Sequence, residues 1–126
     1  MKALSPRANV RFVPSCDLKL PKEDQSQIVL KPLTVEEEII LDDAVYKTVG
    51  NKRVVSMGNK QRMAVHLALV GIENTDIVLV RDKVENEEGI FPLTDECLKS
   101  IPKNVRDEIS SKVIEMMNPS EEERKN

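Results

Sequence analysis

No apolar run in this chain exceeds four residues, and Ile77-Val78-Leu79-Val80 is one of the longest. A helix that crosses a bilayer needs about 20 predominantly apolar residues. Buried surface must therefore come from narrow stripes on short elements that meet in three dimensions. Those stripes are aliphatic: Phe12, Tyr46 and Phe91 are the only aromatics, and there is no Trp. A core of Val, Ile, Leu and Met in 126 residues predicts one domain.

The first 26 residues read as a largely irregular arm, because Pro6, Pro14 and Pro21 interrupt it. Within it, Val10-Arg11-Phe12-Val13 has the character of a short strand awaiting a sheet edge. Gln27 to Leu33 predicts a strand, β-branched at its centre and closed by Pro32. Thr34 and Glu37 then form a capping box for an acidic helix. Val35, Ile39, Ile40, Ala44 and Val45 share one face of that helix to about Val49, where Gly50-Asn51 ends it or turns the chain. Lys52 to Gly58 reads as a short strand.

Asn59 is placed to cap a second helix to about Gly71, with Met63, Leu67 and Val70 at i, i+4 and i+7. Ile77 to Val80 predicts a strand covered on both faces or at an interface, turning back through the acidic loop 85–89 toward Phe91. Thr94 caps a short helix to Ser100, and Pro102 suits the first turn of the next. Val105, Ile109, Val113 and Met116 mark one face of that last helix, which Asn118-Pro119 stops. The expected fold is α+β and mostly helical: three to four helices, a small antiparallel sheet or hairpins, and an extended N-terminal arm. The domain spans 27–117, and 118–126 is a charged C-terminal tail.

Charge is distributed unevenly. Nineteen basic and 22 acidic side chains give −3 overall, so the chain is no polycation built for phosphate backbones. Residues 1–33 carry six basic and three acidic groups, whereas 73–101 carry three basic and eight acidic. Residues 102–126 carry five basic and six acidic groups, so the two ends of the chain differ modestly in sign, which is compatible with head-to-tail association between copies. Lys52, Arg53, Lys60 and Arg62 form a local basic cluster, with no aromatic beside them in sequence to stack on bases.

The side chains that carry chemistry are few. His66 is the only histidine and sits among apolar neighbours, which reads as structural, since a general base needs a partner held at hydrogen-bond distance. Glu36-Glu37-Glu38 and Asp42-Asp43 fall in solvated runs, although Glu38 and Asp42 share a helical face. Residues 82–89 have a faint calcium-loop flavour without EF-hand spacing. Gly50, Gly58, Gly71 and Gly89 are too dispersed for a nucleotide loop. Cys16 and Cys97, 81 positions apart, read as separate free thiols; a cross-link needs their Cα atoms within about 7 Å. No residue is assigned a catalytic, cofactor-binding or metal-binding role, and neither nucleic acid nor membrane is an expected partner.

The segment order resembles that of small proteins from the morphogenesis regions of tailed bacteriophages, which act as tail assembly chaperones or small virion structural proteins. The likeness covers roughly 27–126 and rests on the Leu30-Lys31-Pro32-Leu33-Thr34 junction, on Leu69-Val70-Gly71-Ile72-Glu73-Asn74, and on Ser120-Glu121-Glu122-Glu123-Arg124-Lys125-Asn126. Ile72 departs from it, because relatives often carry an aromatic there. The resemblance implies a non-enzymatic protein in the bacterial host cytoplasm that covers tape-measure or tail-tube subunits until they polymerise. Its alternative is a component kept in the virion, tail or head-tail region, through the N-terminal arm. The side chains it nominates for contact are Phe12 and Val13 on the arm, Met63, Leu67 and Val70 on one helix, and Val105, Ile109 and Val113 on another. Homo-oligomers are a further expectation.

Overall fold

A computed structural model of the chain describes Met1 and residues 7–117. The tail at 118–126, and the arm's residues 2–6, lie outside the described residues. The architecture is α+β. Strands β1 (Val10–Phe12), β2 (Gln27–Leu30) and β5 (Leu69–Glu73) form an antiparallel sheet in the order β1-β2-β5, while β3 (Tyr46–Val49) and β4 (Lys52–Val55) pair separately. Helices α1 (Val35–Asp43), α2 (Met57–Ala68), α3 (Asp95–Ser100) and α4 (Lys103–Met117) complete it.

The core lies between the sheet and the α2–α4 pair. Ile28 and Leu30 of β2, Leu41 of α1, Val65 of α2, Leu69 of β5 and Ile109 of α4 are essentially without solvent contact. Each short element contributes a few aliphatic side chains, as the absence of long apolar runs requires.

The arm is integrated from Val10 onward. Val10 pairs with Leu30 and Phe12 with Ile28. Two 3-10 turns, Ser15–Asp17 and Lys22–Asp24, then fold the prolines back. The Ser15 N–H donates to the Glu108 carboxylate at 3.0 Å, the Ser26 N–H donates to Asp17 at 2.8 Å, and the Asn74 side-chain amide donates to the Glu23 and Gln25 carbonyls. Asn74 adopts a positive φ of 59° to do so, a conformation asparagine tolerates. Polar ties of this kind offset the ordering entropy that the irregular sequence would otherwise leave unmet.

Several boundaries differ from expectation. The first helix stops at Asp43 rather than near Val49. Tyr46, Thr48 and Val49 favour an extended backbone, and Gly50 at φ 62° closes a two-residue turn onto β4. The buried side of α1 is Leu41 with Ala44, whereas Val35 and Ile39 face solvent at 69% and 56% exposure. Helix α2 is capped by Ser56, whose Oγ accepts from the Asn59 N–H at 3.2 Å. The Asn59 side chain instead donates to the Ala44 carbonyl at 2.8 Å and ties α2 to the end of α1. α2 ends at Ala68 instead of Gly71, and the chain passes directly into β5. Ile77 to Val80 forms no strand, and it is covered on one side only: Ile77 and Leu79 pack toward the core while Val78 and Val80 are exposed. A single antiparallel bridge, Arg81 to Leu93, closes this arm of the chain on itself. Pro102 stands just before α4, its carbonyl accepting from the Arg106 N–H at 3.0 Å.

Candidate functional site

The side chains nominated for contact fall into two groups. Met63 and Leu67 of α2, and Val105, Ile109 and Val113 of α4, are at most 5% exposed. They face the protein's own interior, where the α2–α4 packing uses them up, so the predicted docking stripes are the core. Phe12 and Val13 are half-buried, and the Phe12 ring lies under the Lys112 ammonium at 5.8 Å. Val70 alone of the eight is exposed, at 45%. Periodicity locates the apolar faces; it carries no sign of whether the covering partner is another helix of the same chain or a second molecule.

His66 is buried among these core residues, and its setting is structural. Its Nδ1 accepts from the Leu93 N–H at 3.0 Å, which places the ring proton on Nε2. Burial, with the Arg62 and Arg81 charges adding to it, lowers the imidazole pKa to about 4, so the ring is neutral near pH 7. Arg81 completes a clasp around it. Its guanidinium donates to the carbonyls of His66 (2.9 Å), Leu69 (2.8 Å) and Phe91 (2.8 Å). Burial lowers the Arg81 pKa from its ordinary value without removing its charge. The clasp pins segment 77–94 across the α2–β5 junction. Nothing in the sequence around Arg81 announces this, because all three of its partners are main-chain oxygens distant in sequence.

The carboxylates fall out as solvated or structural. Thr34 Oγ1 accepts from the Glu37 N–H (3.1 Å) and Glu37 accepts from the Thr34 N–H (3.0 Å), so the capping box is present as read. Burial pushes the Glu37 carboxyl up, but the Lys31 ammonium and the Thr34 N–H outweigh it and hold the group below the usual glutamate range. Glu36, Asp42 and Asp43 are exposed. Among the described residues no three His, Cys, Asp or Glu side chains converge in the manner of a metal site. The loop 85–89 is organised by Asn86, whose Oδ1 accepts from the Glu88 and Ile90 N–H groups. Cys16 is exposed and Cys97 buried, both as free thiols, and burial is the chief cause that raises the Cys16 pKa.

What stands out is the β3–β4 hairpin. All eight of its strand residues are exposed. Tyr46 lies opposite Val55 and Thr48 opposite Arg53 on one face; Lys47 lies opposite Val54 and Val49 opposite Lys52 on the other. The Arg53 guanidinium covers the Tyr46 ring at 4.3 Å, so the basic cluster does have an aromatic neighbour, supplied across the hairpin rather than along the chain. Val49, Val55 and the adjoining Met57 each stay more than half exposed. A lone two-stranded hairpin is marginal in water, and one with β-branched side chains on both faces presents unpaired edges and apolar area together. The hairpin is joined to the domain by the Ser56 N–H donating to the Val45 carbonyl and by the Asn59–Ala44 bond.

No family model, no curated protein and no solved structure matches the chain. No helix among the described residues is long and apolar enough to cross a membrane.

Proposed function

We propose that this chain is a non-enzymatic morphogenesis protein of a tailed bacteriophage, a tail assembly chaperone that holds tape-measure or tail-tube subunits until they polymerise. The phage assignment comes from the sequence resemblance. The docking mode comes from one observation, the exposed hairpin with Tyr46, Val49, Val54 and Val55 on its faces. Such an element binds by adding its strand edges to an extended segment of a partner, or by laying its apolar face on a helix stripe. The core stripes of α2 and α4 are already occupied, so the hairpin takes the role that periodicity gives to them. Incorporation in the virion through the arm is the competing role. In that case β1, the edge strand beside β2, is the element that offers an edge to a neighbour.

Co-expression tests the proposal. A tape-measure protein made with this chain is expected to stay soluble and to co-purify with it, and the double substitution Tyr46→Ser, Val55→Ser is expected to abolish both effects. Purified particles should lack the chain by mass spectrometry. Its presence there in ring-like copy number would transfer the assignment to a virion component.

A further inference from the structure

A second surface complements the hairpin. Between segment 76–80 and the start of α3 lies an open groove of about 690 Å³, lined by Val78, Val80 and Cys97 and by the acidic Asp76, Asp95 and Glu96. Val78 is 72% and Val80 49% exposed, so both apolar lining side chains are accessible. The hairpin brings the matching chemistry: Lys47, Lys52 and Arg53, no acidic residue between 46 and 55, and four exposed apolar or aromatic side chains. Among the described residues of one molecule, no hydrogen bond or ion pair joins hairpin and groove.

From this charge and shape match we infer that the hairpin of one copy docks in the 76–96 groove of a second copy. The hairpin face that carries Lys47, Val49, Lys52 and Val54 supplies two cations to the carboxylates of Asp76, Asp95 and Glu96 and two valines to Val78 and Val80. The contact pairs two different surfaces, so it closes as a two-fold dimer where both contacts form reciprocally and otherwise propagates head-to-tail to a ring or an open chain. The inference rests on reading the hairpin as a docking element and not on the identity of the client. Self-docking and client binding use the same element, so they compete, and the assembled form is a reserve from which a tail subunit withdraws protomers.

Sedimentation analysis of the full chain tests this with two exposed variant sets, Lys47→Glu/Lys52→Glu/Arg53→Glu on the hairpin and Asp76→Lys/Glu96→Lys on the groove, each checked for native circular dichroism. The wild type is expected to associate, and to do so about tenfold more weakly when salt rises from about 0.05 M to about 0.5 M. Each charge-reversed set alone weakens association about a hundredfold, the scale of like charges brought together across an interface. Mixed, the two sets restore association, because the intact hairpin meets the intact groove and the reversed hairpin meets the reversed groove. A monomeric wild type, unchanged association in either variant set, or no recovery on mixing overturns self-docking. If the tape-measure protein still co-purifies through the hairpin in that event, the proposed function survives. Assembly that follows the expected pattern while no client is captured upholds self-docking and removes the chaperone role.

Discussion

The chain builds two hairpin-like excursions, and they are held in opposite ways. Residues 77–94 leave the β5 end and return with only one formal bridge, yet Leu93 is buried, Ile77 and Leu79 pack on the core, and Arg81 locks the base through three carbonyls. Residues 46–55 have the better ladder, four paired positions on each strand, and every strand residue exposed. Backbone pairing is therefore a poor guide to what is anchored. Desolvated polar groups with full partners fix the first excursion, whereas the second keeps its β-branched side chains exposed.

The largest effect that sharpens this contrast is at Arg81. Arg81→Leu leaves the carbonyls of His66 and Leu69 without their donor and should cost about 3 kcal/mol of unfolding free energy by denaturant titration. A loss below about 1 kcal/mol would mean that water replaces the guanidinium and that the clasp is incidental.

Next comes pH. The His66 pKa is about 4 in the fold against 6.5 in the open chain, so the unfolded state takes up the proton first. The contribution is complete above about pH 6.5 and is lost as pH falls toward 4, by about 2 kcal/mol after allowance for relaxation. His66→Asn keeps an acceptor near the Leu93 N–H without titrating, and should flatten the imidazole's share of that slope in unfolding experiments at stepped pH.

On the hairpin side, effects on stability are smaller. Gly50→Ala forces an alanine to φ near 62° and should raise local opening of the turn by about 1 kcal/mol, seen as faster amide exchange at 46–55 with the global transition unmoved. The smallest stability change belongs to Tyr46→Ser with Val55→Ser, within about 0.5 kcal/mol, although these substitutions are expected to remove client binding. A large global loss from that pair would place the hairpin inside the cooperative unit and erase the contrast.

Much of the fold is legible where a signal is local. The Thr34–Glu37 box, the Thr94 cap and the Val105, Ile109, Val113 face stand where their spacing puts them. The hairpin is hidden in the sequence because Ala44 and Val45 prolong the helical rhythm of α1 by one turn, while the strand preference of Tyr46 to Val49 begins only after them. The α2–β5 junction is hidden because no glycine or proline separates the two elements: Gly71 lies inside the strand rather than ending the helix. The strongest amphipathic faces suggest themselves as docking surface, but in a chain with so little apolar sequence those faces are the ones its own core consumes. The exposed surface comes instead from short β-branched runs whose period-2 pattern has no buried side at all.

Amide hydrogen exchange of the chain alone and with a co-expressed tail subunit tests the central claim most directly. Protection is expected to rise at 46–55 on binding, with α2 and α4 unchanged. Protection gained along 57–68 and 103–117 while the hairpin stays fast would show that the core opens to take the client, and would contradict the account.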